Sequence, residues 1–118
     1  CDILLCMLPG GEGTRNAINA DILKKLGPTG IFINVGRGSS VDEAALAAAL
    51  QKQHIFAAGL DVYADEPNVP EELLEQDNVV LLPHIGSATV ETRIAMGQLV
   101  IDNLDAYFSG KPLLTEVG

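Results

Sequence analysis

An α/β fold is predicted for this chain: a partial doubly wound parallel sheet of about four strands with flanking helices. Three observations predict it. Four short apolar runs, at residues 3–8, 30–35, 55–60 and 78–82, have the length and unbroken character of buried parallel strands. They begin at residues 3, 30, 55 and 78, close to the ~30-residue repeat of a βαβ unit. Segments with helical spacing and helical punctuation lie between and after them, so strand and helix alternate along the chain.

The first run, Ile3-Leu4-Leu5-Cys6-Met7-Leu8, stops at Pro9-Gly10-Gly11 and reads as a strand covered on both faces. Gly10-Gly11-Glu12-Gly13 resembles a phosphate loop but lacks the lysine and the full glycine spacing, so it reads as a flexible connector. Asn19 is placed to cap a short helix carrying Ile22, Leu23 and Leu26, which Gly27-Pro28 stops. The second run ends at Gly36. Ser40 with Glu43 forms a candidate capping box for the alanine-rich segment 44–50, and Asp42 could cap it equally well. The third run ends at Asp61. Pro70 suits the first turn of a helix over 71–75, and the fourth run ends at Pro83. Ile94, Val100, Ile101, Leu104, Tyr107 and Phe108 then recur at helical spacing until Gly110 and Pro112, with Met96 and the two aromatics expected to face a core.

Composition narrows the function. The 118 residues suffice for one domain or part of one. Seven basic against sixteen acidic residues give a net charge of −9, which repels nucleic-acid phosphates and anionic membrane surfaces. No apolar run approaches a membrane span and no signal-peptide pattern is present, so a soluble cytoplasmic protein is expected. Cys1 and Cys6 differ in strand parity, point to opposite faces and read as small apolar strand residues, not as a disulfide or a metal pair. The chain opens on Cys1 rather than methionine and enters an apolar run by its third residue, which leads to the expectation of a piece of something longer.

In an open parallel sheet the ligand lies beyond the carboxyl ends of the strands. Those ends carry Leu8-Pro9 and Thr14, then Gly36-Arg37-Gly38, then Asp61 and Glu66, then Pro83-His84. Arg37 between two glycines is expected to bring backbone close to a ligand while its guanidinium offers a planar fork to a carboxylate. Glu66 beside His84 would fix the imidazole tautomer and favour its charged form, making His84 a general acid. His54, at a helix end, reads as a surface residue, and no metal-ligand constellation is seen.

With these residues assembled, the chain resembles the D-isomer-specific 2-hydroxyacid dehydrogenases, and within them the glyoxylate/hydroxypyruvate reductase group. The resemblance spans the whole chain. It rests on Leu8-Pro9 with Thr14, Ile33-Asn34-Val35-Gly36-Arg37-Gly38, Val41-Asp42-Glu43-Ala44-Ala45-Leu46, Gly59-Leu60-Asp61-Val62 with Glu66-Pro67, and Pro83-His84-Ile85-Gly86-Ser87-Ala88-Thr89. It implies a Rossmann-like sheet, NAD or NADP as cofactor, and a small 2-keto or 2-hydroxy acid as substrate. Arg37, Glu66 and His84 would be the catalytic set: Arg37 anchors the substrate carboxylate, Glu66 supports the histidine, and His84 protonates the carbonyl oxygen. Asp61 would hold the nicotinamide carboxamide, and Leu8, Pro9, Thr14, Val35, Gly36, Arg37, His84 and Gly86 would lie against cofactor or substrate.

The resemblance also implies that residues 1–118 are the C-terminal part of a dinucleotide-binding domain, with 90–118 a terminal helix and tail returning toward a substrate domain. The intact protein would be a homodimer. The family's G-x-G-x-x-G and the acidic or basic residue that reads the ribose do not occur in these 118 residues, so the chain alone is expected not to turn over, and its first strand to expose an apolar edge. Alternatives are phosphoglycerate or another D-2-hydroxyacid as substrate, or a nucleotide-sensing scaffold on the same fold. A phosphoacceptor signalling domain needs acids after the first strand and a lysine at the last, where this chain has Met7-Leu8-Pro9 and His84.

Overall fold

The computed structural model describes residues 1–117 in two units, 1–84 and 85–117. The first unit is built on four strands, β1 (Ile3–Cys6), β2 (Ile31–Asn34), β3 (Ala57–Leu60) and β4 (Val79–Leu81). All pair in parallel in the order β1-β2-β3-β4, with Leu4, Phe32, Ala58 and Val79 in one row and Cys6, Asn34, Leu60 and Leu81 in another. This is the predicted sheet. Each strand is shorter than its apolar run.

Three helices serve the connections: α1 (Ala20–Leu26), α2 (Glu43–Gln51) and α3 (Glu71–Leu74). The Asn19 side chain accepts from the Asp21 and Ile22 amides at 3.1 and 3.2 Å, and Gly27, at φ 84°, closes α1 as expected. Of the two candidate caps for α2, Asp42 is the one used, accepting from the Ala45 amide at 3.0 Å. Ser40 instead donates to the Arg37 carbonyl at 2.6 Å, and the Glu43 carboxylate is engaged elsewhere. Pro70 stands just before α3 as its cap residue.

Phe32, Leu23, Leu46, Leu50, Ile55 and Leu73 form the buried centre of this unit. They lie with the Leu4–Phe32–Ala58–Val79 row, so within this unit the helices cover one face of the sheet. The expected burial on both faces is therefore not found here: Ile3, Leu5 and Val80 are each more than half exposed. Alternation along a strand sends every second residue to the opposite face, where the unit supplies no covering helix. β1 has β2 as its one neighbour and forms an edge. Cys6 is buried with Sγ 3.4 Å from Ser40 Oγ, whereas Cys1 is exposed and precedes the strand.

The second unit is α4 (Val90–Phe108) and a tail. Thr89 caps the helix through the Thr92 amide, and Gly110, at φ 66°, follows its end. Asn103 ties the tail back by accepting from the Leu114 and Thr115 amides at 3.1 and 3.3 Å. Met96, Tyr107 and Phe108, expected in a core, are exposed instead, Phe108 at 81%. A single helix has no second element within its unit to bury an apolar stripe, and Ala106 alone in it is buried. No helix among the described residues is long and apolar enough to cross a membrane.

Candidate active site

The carboxyl ends of the four strands carry the predicted residues to one edge. The geometry there begins with Asn34, the last residue of β2, whose side chain is almost wholly buried although it is polar. Its Oδ1 accepts from the Gly36 amide at 3.1 Å and its Nδ2 donates to the Arg37 carbonyl at 3.2 Å. Ser40 adds its bond to the same carbonyl. The turn bearing Arg37 is thus clamped from beneath by two side chains.

The glycines flanking Arg37 have a packing role. A Cβ on Gly36 would stand 2.6 Å from the Leu8 carbonyl oxygen, and one on Gly38 would overlap the Tyr63 carbonyl and the Ala64 amide nitrogen. The space they leave is filled by backbone of the first and third strand ends. Close approach there packs three loops into one edge. Arg37 itself is exposed, donating from Nη1 to the Gly36 carbonyl at 2.8 Å.

The Pro9–Thr14 segment is an ordered loop. Thr14 Oγ1 lies 2.7 Å from the Pro9 carbonyl and 3.1 Å from that of Gly11, and residues Glu12–Thr14 form a 3-10 turn. A Cβ on Gly10 would lie 3.5 Å from Arg37 Cγ, which sets this loop beside the arginine stem. Leu8 and Pro9 are exposed, and Val35 is 44% exposed.

The third strand end supplies Asp61, which is buried, and then the loop to Glu66. Successive amides hold that loop between two carboxylates. Tyr63 N–H donates to Glu66 Oε1 at 3.0 Å, and Ala64 N–H donates to Glu43 Oε1 at 2.8 Å. Burial lifts the Glu43 carboxyl above the usual range; the Ala64 bond opposes this and Asp65 adds to it.

Glu66 Oε2 lies 2.7 Å from His84 Nδ1. The bond to His84, the Tyr63 amide and, more weakly, the charges of His84 and Arg37 hold the Glu66 carboxyl below the usual glutamate range. An ionised carboxylate only accepts, so Nδ1 carries the proton and Nε2 is the nitrogen presented for exchange. His84 has φ 53°, a left-handed conformation that costs a non-glycine residue on the order of 1 kcal/mol. The structure therefore joins Glu66 to His84 directly and sets Arg37 near enough to act on the same carboxylate. Gly86 belongs to the second unit.

Sequence reasoning passed over Tyr63 and the structural work of Asn34 and Glu43. Asn34 had a signal, a polar residue inside an apolar strand run. Tyr63 had none, since its shorter hydroxyl bond, to Leu82, exists only once β4 lies beside β3. His54 is exposed, as predicted, and the described residues contain no cluster of three or more metal-ligating side chains.

The donor set at this edge fits a nicotinamide dinucleotide. Asp61 is buried at the end of β3, and the Pro9–Thr14 and Gly36–Arg37 loops lie side by side at the strand ends. An acid at this edge whose tautomer is set by a carboxylate suits reduction of a carbonyl.

The chain belongs to the D-isomer specific 2-hydroxyacid dehydrogenase family: the model of that family's NAD binding domain matches residues 1–86. Among individual proteins it is 53% identical over 116 residues to hydroxyphenylpyruvate reductase of Plectranthus scutellarioides, and equally so to glyoxylate/hydroxypyruvate reductase A of Arabidopsis thaliana. Each match covers 98% of this chain and 37% of the relative. Among solved structures it superposes on the NADPH-dependent glyoxylate/hydroxypyruvate reductase of Sinorhizobium meliloti, in complex with NADP and malonate, with TM-score 0.95 and 58% identity. That match covers 99% of this chain and 37% of the other. The chain thus spans a little over a third of the length of the relatives it matches.

Proposed function

We propose that residues 1–118 are the C-terminal part of a dinucleotide-binding domain, with 90–118 a terminal helix and tail returning toward a substrate domain. The whole protein, in this reading, reduces a 2-keto acid of the glyoxylate or hydroxypyruvate type to the D-2-hydroxy acid with NADH or NADPH, as a cytoplasmic homodimer. The observation that carries it is the 2.7 Å pairing of Glu66 with His84 on the strand edge that also bears Arg37. The names of relatives at about half identity support the substrate class.

A bound nicotinamide supplies the hydride. This chain's residues supply position and protons. Arg37, with one N–H spent on the Gly36 carbonyl, turns its remaining donors to the substrate carboxylate and so aligns the adjacent carbonyl. His84 Nε2 gives its proton to that carbonyl oxygen as negative charge develops on it, and takes it back in the oxidative direction. Glu66 holds Nδ1–H throughout, keeping the ring in one tautomer and orientation. Asp61 and the turn at Gly36 hold the carboxamide end of the cofactor.

The test is reduction of glyoxylate and hydroxypyruvate by the full-length protein and its His84→Ala variant. The expected result is a loss of roughly a hundredfold or more in kcat with cofactor affinity preserved. Equal kcat in the two proteins would overturn the assignment.

A further inference from the structure

Arg37, Glu66 and His84 stand on three different loops, and Tyr63 touches the mounting of each. Gly38, beside Arg37, packs on the Tyr63 carbonyl so closely that no side chain fits between. The Tyr63 amide donates to Glu66 Oε1 at 3.0 Å. The Tyr63 hydroxyl donates to the Leu82 carbonyl at 2.9 Å, with the Leu60 carbonyl 3.3 Å away. Leu82 precedes Pro83-His84, and the β3–β4 register ends at Leu60 and Leu81. Past that register the Leu82 amide still donates to the Leu60 carbonyl at 2.8 Å, and the phenol supplies the donor to the Leu82 carbonyl, two residues before the histidine.

We infer that Tyr63 is a positioning residue for the acid–base pair, its hydroxyl setting the backbone from which His84 reaches Glu66. This rests on the proposed roles of His84 and Glu66, but the contact it explains does not. Tyr63 is buried, and its ring would pack whether or not a hydroxyl were present. The hydroxyl's particular contribution is to lock the Leu82 carbonyl. Without it the Leu82 carbonyl keeps only the restraint of its own amide bond to Leu60, and the short Nδ1 bond to Glu66 lengthens. Amide and hydroxyl act on the two partners from one residue, so the pair's separation depends on a single side chain's placement.

The test replaces Tyr63 by Phe in the full-length protein and reads the His84 ring by nitrogen–proton NMR, with the resonance assigned by its loss in His84→Gln. The wild type should show one Nδ1–H tautomer with a strongly downfield, slowly exchanging proton. In Tyr63→Phe that proton should move upfield and exchange faster, while the unfolding midpoint changes little and cofactor KM stays constant. The kcat should fall roughly three- to tenfold, the worth of one hydrogen bond. Tyr63→Met, which removes ring and hydroxyl together, should reproduce the His84 signal of Tyr63→Phe. An unaltered His84 signal in both variants would overturn the inference whatever the activity. If the wild type reduces no keto acid, the functional reading falls, and the NMR comparison still decides the role of Tyr63.

Discussion

Glu66 and His84 meet through a 2.7 Å contact between residues 18 apart in sequence, one in the loop after β3 and the other just past β4. The histidine is in a left-handed conformation, and the carboxylate is fixed at its other oxygen by the Tyr63 amide. Both partners are therefore oriented before any ligand arrives, which spares the site reorganisation during proton transfer.

The first prediction concerns acid. The folded state holds the Glu66 carboxyl below its usual range, so its contribution to stability is fully present above the unfolded value and is lost as pH falls through the folded one. Glu66→Gln should therefore be less stable than wild type at neutral pH, and the gap should narrow as pH falls through and below the usual glutamate range. Unfolding midpoints across that range check it, and a gap independent of pH would count against the pairing.

Arg37→Lys should spare folding and cofactor binding but lower kcat/KM for the keto acid roughly tenfold or more, because lysine lacks the planar fork. The effect should shrink for a substrate lacking the carboxylate. Steady-state kinetics with glyoxylate against a neutral aldehyde of similar size distinguishes an anchor from a general electrostatic effect.

Gly38→Ala should be strongly destabilising, by about 3 kcal/mol or more, since the new methyl would overlap the backbone of Tyr63 and Ala64 and backbone cannot swing aside. Gly13→Ala is the control: a Cβ there meets nothing within 4 Å, and the change should stay within about 0.5 kcal/mol. Urea midpoints of the two variants compare them directly. Equal midpoints would mean that the approach of the Arg37 turn to Tyr63 is looser than described.

Much of this was legible from the residues in order. Apolar runs recurring at a βαβ spacing dictate the parallel sheet, because hydrophobic burial follows composition and period. The Asn19 cap and the Gly27 stop of α1 depend on neighbours two to four residues away, and local chemistry was enough to place them. The strand-end residues Arg37, Glu66 and His84 could be gathered to one edge because parallel strands share a carboxyl end.

Other features were decided only by the fold. Which of Ser40 and Asp42 would cap α2 depended on the Arg37 carbonyl claiming the serine. The glycines around Arg37 are required by Leu8 and Tyr63, both distant in sequence. The apolar face of the sheet and the stripe of α4 read as core from their pattern, yet exposure depends on what else packs there, which no local pattern encodes. Sequence limited which residues can donate, accept or anchor at the strand ends, since side-chain type alone sets that. Tertiary structure decided how they are held, because hydrogen bonds such as Tyr63 to Leu82 exist only once separate strands have been brought side by side.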